Sequence, residues 1–447
     1  MVGATGINDQ KTTVNKMETA KKRKDRGVMV FLALLAVAAC IASAYADANE
    51  TNDTPITIID SANNTVTLPR APERIVTVGQ QNELFALGLG DKIIGWTPFY
   101  RYGYYTDMQD KFDEETDIDL DAIPNIGDPW KKTMNVELIA NLSPDIFFTF
   151  DKGPYDTYKA QLEALGIPVV YLDYMTEANV PDSTEKLGKI MGVEERGKEL
   201  ADFYREQENK VFDRLEEIDA SKPAVYVASG FGAPYTTYGS TYTFGGLATE
   251  AGGDDIADNS GITSFGTVTP EFVISQDPDV IVLTGAISSS GTAPPLGYYT
   301  TPAETRVALK AKIANLTGWD DLSAMKNKRV FVVSHMLSRN IMDFAAVQYM
   351  AKWFYPEEFA DLDPEANLRE FHQRFMPFTY SGTWGAALYI QGDVNGDDVL
   401  GYSDLVAFAL SYGTSSGNGK YNSGCDLNDD GRINYNDLII FAGNYNK

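Results

Sequence analysis

The sequence predicts an α/β protein with two parallel-sheet lobes joined by one long helix, followed by a small helical domain at the C-terminal end. Three observations lead to this fold class. A helix, Pro-Asp, strand unit occurs twice, far apart in the chain. Short β-branched strands alternate with amphipathic helices, which is typical of parallel sheets. Beyond Ile390 the composition changes to Asp, Asn and Gly in a regular order.

The repeated unit has a Glu, six further residues, Pro-Asp and then an apolar run. The two copies begin at Glu137 and Glu271 and reach Pro-Asp at 144–145 and 278–279. Proline ends each helix, and the β-branched or aromatic run after it is typical of a buried parallel strand. The helix dipole alone favours a Glu in a first turn. A matched pair on two lobes also suits contact with a two-fold symmetric partner.

Local patterns predict the other elements. An Asn-rich turn between two short β runs indicates a hairpin at 56–69, and a helix ending on Gly88 should follow the first buried strand. The remaining predicted strands are 75–79, 92–96, 169–172, 224–228, 280–283 and 329–333.

A long helix should connect the lobes, because no glycine or proline occurs from Lys198 to Ile218. The predicted domains are an N-terminal lobe (55–181), an inter-lobe helix (182–222), a C-terminal lobe (223–390) and a C-terminal module (391–447).

A chain of 447 residues is longer than a single hydrophobic core usually organises, so two or three domains are expected. The net charge of −26 argues against nucleic acid as a partner, because an acidic surface is repelled by phosphates.

The first 46 residues have the order of a secretory signal region. A basic stretch at 21–26 precedes an apolar run at 28–42 and a small-residue cleavage site at 44–46, with Met17 as an alternative start. Val37-Ala38-Ala39-Cys40 also resembles a lipobox, which would make Cys40 a lipidated anchor. The chain is therefore expected outside the cytoplasmic membrane: on its outer face, in a periplasm or at the cell surface. Cys40 and Cys425 are the two cysteines; if Cys40 leaves with the signal or carries lipid, Cys425 has no partner and no disulfide is expected.

The two-lobed part contains several motifs: the two Glu units, Pro72-Glu73-Arg74-Ile75-Val76, Leu87-Gly88-Leu89-Gly90-Asp91, and Gly245-Gly246-Leu247 with Ala251-Gly252-Gly253. In the order and spacing of these motifs it resembles substrate-binding proteins of ABC transporters for iron–siderophore, haem and cobalamin. The resemblance covers roughly residues 55–389 and implies a ligand held between two lobes. It also implies that Glu137 and Glu271 dock on arginines of the permease dimer.

The ligand should lie at loops on the carboxyl ends of strands, facing the cleft. Aromatic side chains dominate these loops and suit a bulky planar or chelated ligand, while an arginine could pair with its carboxylates. With only two histidines, a multi-histidine site for a bare metal ion is not expected. We therefore expect an iron chelate (siderophore or haem) or cobalamin. The predicted cleft residues are Trp96, Tyr100, Arg101, Tyr104, Tyr105, Trp130, Tyr235, Tyr238, His335 and Arg339.

Two stretches of the C-terminal module, 393–404 and 426–437, have the spacing of calcium-binding loops and begin 33 residues apart. Oxygen ligands at loop positions 1, 3, 5 and 12, with the position-7 carbonyl, suit a hard cation. Gly431 occupies the turn of the second loop, whereas the first has Asp398, so the first site should be weaker. The predicted ligands are Asp393, Asn395, Asp397, Val399 and Asp404, then Asp426, Asn428, Asp430, Arg432, Asn434 and Asp437.

Loop–helix repeats of this kind, at 391–447, resemble a dockerin module. The resemblance implies calcium-dependent folding and attachment to a cohesin-like module of another protein. It also implies that Tyr402-Ser403 and Tyr435-Asn436 contact that partner.

An enzyme is the main alternative, because dockerins are also carried by secreted hydrolases. The sequence has no G-x-S-x-G or H-E-x-x-H motif, so no enzyme is predicted, although paired carboxylates for glycoside hydrolysis stay open. A surface scaffold on the same fold is a further alternative.

Overall fold

A computed structural model describes residues 55–97, 106–287, 291–396, 399–428 and 430–445. The signal region with Met17 and Cys40, the cleft residues Tyr100, Arg101, Tyr104 and Tyr105, and the loop residue Asp397 lie outside this part. Ile56–Lys447 forms one compact unit. Across the described ranges, no helix has both the length and the apolar character that crossing a bilayer requires.

The first lobe has a hairpin and a parallel sheet. Strands β1 (Ile56–Ile59) and β2 (Thr65–Leu68) pair antiparallel, as predicted. The sheet has the order β4-β3-β5-β6, and all its pairs are parallel. Its strands are β3 Ile75–Val78, β4 Ile93–Trp96, β5 Ile146–Thr149 and β6 Val169–Tyr171, and its helices are α1 Gln81–Ala86, α2 Thr106–Glu115, α3 Val136–Leu142 and α4 Lys152–Glu163.

The inter-lobe region was predicted as one helix at 182–222, uninterrupted from Lys198 to Ile218, and it contains two helices. Helix α5 spans Val180–Ile190, and α6 spans Glu194–Leu215, which makes α6 22 residues long. The two helices approach closely where Gly188 meets Gly197, since a Cβ on Gly188 would lie 2.6 Å from the Gly197 Cα. Leu200, Tyr204 and Val211 face the core from α6.

The second lobe contains a seven-stranded sheet of order β10-β8-β7-β11-β12-β13, with β9 paired to β7. Its strands are β7 Ala224–Ala228, β8 Thr236–Tyr238, β9 Asp254–Asp255, β10 Phe265–Thr267, β11 Val280–Gly285, β12 Val330–Ser334 and β13 Gly385–Ala387. Its helices are α7 Thr243–Glu250, α8 Pro270–Gln276, α9 Pro302–Ile313, α10 Ser323–Lys326, α11 Phe344–Phe354 and α12 Pro364–Phe375.

The prediction of a parallel sheet was wrong for part of this lobe. Strands β7, β11 and β12 pair parallel, but β8, β10 and β13 pair antiparallel at the sides of the sheet. These three strands have only three residues each and no clear apolar run, so their pattern gave no strand signal.

Helix α2 of the first lobe contacts both lobes. Its Phe112 ring packs 4.2 Å from Phe85 of the first lobe. Three of its carboxylates accept hydrogen bonds from the second lobe, and these bonds fix the distance between the lobes on this side. They join Asp107 to Tyr298 N (2.7 Å), Glu114 to Tyr299 Oη (2.6 Å) and Glu115 to Thr379 N (2.7 Å).

The C-terminal module contains helices α13 (Tyr402–Ser411) and α14 (Tyr435–Asn444), as predicted. They share a small core of their own, formed by Phe408, Cys425, Ile433 and Phe441. Cys425 is buried and forms no disulfide with any described residue.

Candidate functional site

The two Pro-Asp units fold alike. Helices α3 and α8 each end on a residue in the left-handed conformation, Ser143 (φ 49°) and Asp277 (φ 41°). The Asp of each Pro-Asp then accepts a hydrogen bond at the start of the lobe's central strand: Asp145 from Arg74 N (3.0 Å) and Asp279 from Ala224 N (2.9 Å). The repeated sequence therefore forms the same helix-to-strand joint in both lobes.

Glu137 and Glu271 occupy matching positions in these joints. Each is the second residue of a seven-residue helix, and each side chain is exposed. Side chains cap both helices, since Asn135 accepts from Leu138 N and Thr269 accepts from Phe272 N. Two exposed carboxylates on equivalent, capped helices are suitable for pairing with cations of a symmetric partner.

Buried amide side chains follow strand β3, which lies between β4 and β5 where the strand order reverses. Such a switch point is the usual ligand position in an open α/β sheet. Gln80 and Gln81 are fully buried, and Asn82 is 5% exposed. Both amide atoms of Gln81, Nε2 of Gln80 and Oδ1 of Asn82 have no hydrogen-bond partner within the described chain. A buried polar atom without a partner costs about 1–3 kcal/mol, so four of them together require an explanation.

This amide cluster, Gln80, Gln81 and Asn82, was missed in the sequence. The signal was present, because Gly79 and three polar residues directly follow a buried strand. Gly79 has φ 103°, and a Cβ there would lie 1.9 Å from the Phe150 ring, so the turn accepts only glycine. Thr77 Oγ1 donates to Gln80 Oε1 (2.9 Å) and orients that amide. Thr97, at the end of β4, is a further buried side chain whose Oγ1 lacks a described partner.

Glu83 joins the amide cluster to the second lobe. Its Oε1 accepts a 2.8 Å hydrogen bond from Ile341 N, while Oε2 is buried without a described partner. Burial raises the pKa of this carboxyl from 4.5 to about 7. The contact places the turn around Ser338, whose buried Oγ also has no partner among the described residues, against helix α1.

On the second lobe, aromatic rings surround His335. Its ring lies 5.2 Å from Phe231 and 5.3 Å from Phe244, and Phe244 in turn lies 5.6 Å from Tyr238. Burial, together with the charge of Arg339, lowers the pKa of His335 to about 3, so the imidazole is neutral at physiological pH. Tyr238 and His335, both predicted cleft residues, therefore belong to one aromatic group at the carboxyl ends of β8 and β12.

Other predicted cleft residues lie elsewhere. Tyr235 packs against Trp319, 6.5 Å away, and the charge of Glu271 contributes to raising its pKa after the larger effect of burial. Tyr235 precedes the first residue of β8 and has φ 63°, so the alternation of side chains along that strand does not place its ring. Trp96 is the last residue of β4 and is 1% exposed, so it is a core residue and not part of the following loop.

Trp130 and Arg339 are less deeply placed. Trp130 is 39% exposed, and its Nε1 donates to Asp151 (2.8 Å) near the end of β5. Arg339 is half-buried and has φ 64°, a left-handed conformation that is uncommon for a long side chain. Both lie close to ends of strands, as expected, while the loop with Tyr100, Arg101, Tyr104 and Tyr105 is outside the described residues.

The two predicted calcium loops close by the same bonds. Asp404, at position 12 of the first loop, accepts from Val394 N (2.8 Å), Asn395 N (3.2 Å) and Gly401 N (2.9 Å). Asp437 in the second loop accepts from Leu427 N (2.7 Å), Asn428 N (3.3 Å) and Asn434 N (2.7 Å). These donors occupy positions 2, 3 and 9 in both loops. Burial would raise the pKa of Asp404, but these amides outweigh it and hold the pKa below its usual value.

The second loop also brings its other oxygen groups together. Asp426 accepts from Gly431 N (2.9 Å), and Asp430 accepts from Arg432 N (2.8 Å) and from the Asn428 side chain (3.2 Å). Nowhere in the described ranges do three His, Cys, Asp or Glu side chains come close enough to hold a metal ion. A cation in these loops would thus depend on side-chain amides and the carbonyls of Val399 and Arg432 as well as on carboxylates.

Two α/β lobes joined by a long helix are typical of solute-binding proteins. Residues 75–335 match the periplasmic binding protein family. The chain belongs to this family, and it is a substrate-binding protein of the ABC-transporter type.

Relatives agree with this assignment. The solved TroA-like periplasmic binding protein FepB from Veillonella parvula is 35% identical, with a TM-score of 0.69, over 75% of this chain and 100% of its own. The uncharacterized ABC transporter substrate-binding lipoprotein YvrC of Bacillus subtilis is 24% identical over 69% of this chain and 88% of its own length. The cobalamin-binding protein of Halobacterium salinarum is 27% identical over 53% of this chain and 61% of its own.

Membership in this family agrees with two further expectations. The family consists of solute-binding proteins and not of enzymes. An extracytoplasmic location agrees with the lipoprotein relative. The family match ends at residue 335 and does not include the C-terminal module.

Proposed function

We propose that the protein captures an iron chelate (siderophore or haem) or a cobalamin outside the cytoplasmic membrane and delivers it to an ABC permease. The observation that carries this proposal is the pair of identical joints that present Glu137 and Glu271, one on each lobe. A permease dimer that contacts Glu137 and Glu271 would touch both lobes while the ligand is held between them.

The chemistry of the lobe ends supports a large organic ligand. The rings of Phe231, Phe244 and Tyr238 form an apolar wall next to His335 on one lobe, and the amide cluster lies on the other. Aromatic walls with a few polar groups are typical of sites for bulky ligands. Arg339 at the edge of the second lobe is able to pair with a carboxylate, as proposed from the sequence.

We further propose that the C-terminal module is dockerin-like, binds calcium at both loops and attaches the protein to a cohesin-like module at the cell surface. The matching closing bonds of Asp404 and Asp437 support two loops of the same type. Tyr402 and Tyr435 are 77% and 64% exposed at the matching first turns of α13 and α14, where a partner could reach them. Large exposed aromatic side chains are typical of interface anchors.

Calorimetric titration of the full-length protein tests the ligand class. A ferric catecholate, haem and cyanocobalamin would be added separately in the presence of calcium. Saturable one-to-one binding of at least one of them is expected. Absence of heat for all three, from protein whose circular dichroism shows that it is folded, would contradict the proposed function.

A further inference from the structure

The amide cluster offers hydrogen-bond donors and acceptors in equal measure. Nε2 of Gln80 and of Gln81 donate, whereas Oε1 of Gln81 and Oδ1 of Asn82 accept. Each is a buried atom without a partner in the described part of the chain. A ligand that satisfies all four must itself present both donors and acceptors. A carboxamide does so, while a carboxylate or catecholate presents acceptors alone.

The surroundings of the cluster also disfavour a negative ligand group. Glu83 is adjacent in sequence and lies fully buried. Ionising it already costs free energy, which is why burial raises its pKa to about 7. A second negative charge nearby would add repulsion in a region of low dielectric constant. Thr97, directly after the neighbouring strand β4, adds a buried hydroxyl group, which is able both to donate and to accept.

We propose that Gln80, Gln81 and Asn82 are the specificity-determining residues of the cleft and select a ligand whose periphery carries carboxamides, namely a corrinoid. This inference rests on the proposed function and narrows it. The amides of a corrinoid supply both the donors and the acceptors that the four buried atoms of the cluster require. Haem propionates and ferric catecholates leave the acceptors of Gln81 and Asn82 facing negative oxygens, and bind less tightly.

A matched ligand pair tests this selection. Dicyanocobinamide presents amides around the corrin ring, and dicyanocobyrinic acid presents carboxylates on the same ring. Full-length protein with calcium should bind the amide form about 100-fold more tightly or better, because a site built for hydrogen bonds strongly rejects a mismatched group. Equal affinity for the two corrinoids would overturn the proposal.

Variants locate the effect at the amide cluster. Gln81→Met keeps the length of the side chain and removes both polar atoms, so affinity for the amide corrinoid should fall about tenfold or more. Gln161→Met, on the exposed face of α4, is the matched control and should bind like the wild type. If Gln81→Met fails to fold, Gln81→Glu serves instead and should weaken binding of the amide form. Unchanged affinity in a folded Gln81 variant contradicts the role assigned to this residue.

The remaining outcomes distinguish failure of the carboxamide selection from failure of the transport function. Binding of haem or a ferric catecholate with no binding of either corrinoid overturns the carboxamide selection and leaves the transport function standing. Failure to bind any of these compounds overturns the proposed function, and the selection with it.

Discussion

Replacing Glu83 with Gln should make the protein more stable at alkaline pH and leave its stability in weak acid nearly unchanged. Glu83 has no exposed surface, and only one of its oxygens has a described hydrogen-bond partner. Its pKa rises through burial from 4.5 to about 7, so the folded state retains a proton that the unfolded state has released. The free energy of unfolding therefore falls as pH rises from about 4.5 towards 7 and stays lowered above it.

The expected magnitude follows from that interval. A pKa difference between 4.5 and about 7 corresponds to about 3 kcal/mol when the carboxyl is fully ionised. Gln keeps an oxygen for Ile341 N and is neutral at all pH, but its amide N–H adds a buried donor that costs about 1 kcal/mol. At pH 8.5 the variant should be about 2 kcal/mol more stable than the wild type. At pH 4.5 the variant should be equal in stability or slightly weaker.

Urea unfolding at these two pH values, at constant calcium, measures the difference. Tryptophan fluorescence and circular dichroism should give coincident transitions, which justifies a two-state treatment. Glu195→Gln, an exposed position of α6, is the control and should show no such dependence on pH. A stability difference between the Glu83 variant and the wild type that is the same at both pH values would refute the assignment of a buried, proton-retaining carboxyl.

Two further predictions concern the calcium loops and a buried hydrogen bond of helix α6. Full-length protein should gain thermal stability from calcium, and Asp426→Ala should reduce this gain more than Asp393→Ala, since the second loop has Gly431 at its turn; equal effects in calorimetry would contradict the predicted ranking of the loops. Tyr204→Phe should lower the free energy of unfolding by about 1–3 kcal/mol, because Tyr204 Oη donates a 2.6 Å hydrogen bond to the fully buried Asp343. Chemical denaturation that shows no loss of stability would refute the importance of that bond.

Much of the fold could be predicted because local patterns were strong. The Pro-Asp breaks, the apolar strands after them and the uninterrupted run before Ile218 each specify one element without reference to the rest of the chain. The antiparallel strands β8, β10 and β13 could not be found this way, since each is short and depends on its neighbours for pairing.

The candidate site was harder to predict, for two physical reasons. Aromatic residues were predicted as ligand contacts, yet Trp96 is buried in the core and Tyr235 packs against Trp319. Conversely, Gln81 looks like an ordinary helix-start residue until the structure shows that its amide is fully buried and without a described partner. Burial of a polar group depends on contacts between distant segments, which a pattern of single residues does not contain.

Glu137 and Glu271 should both be required for delivery of the ligand to an ABC permease. The most direct measurement is ATPase activity of the partner permease reconstituted in nanodiscs, with ligand-loaded wild type, the double variant Glu137→Ala/Glu271→Ala and the exposed control pair Glu195→Ala/Glu216→Ala. Wild type and control should stimulate the permease equally. The docking variant should bind ligand normally and stimulate the permease less than either single variant, because each exposed ion pair contributes only about 0–1 kcal/mol alone and the double variant loses both. Full stimulation by the docking variant would contradict the account.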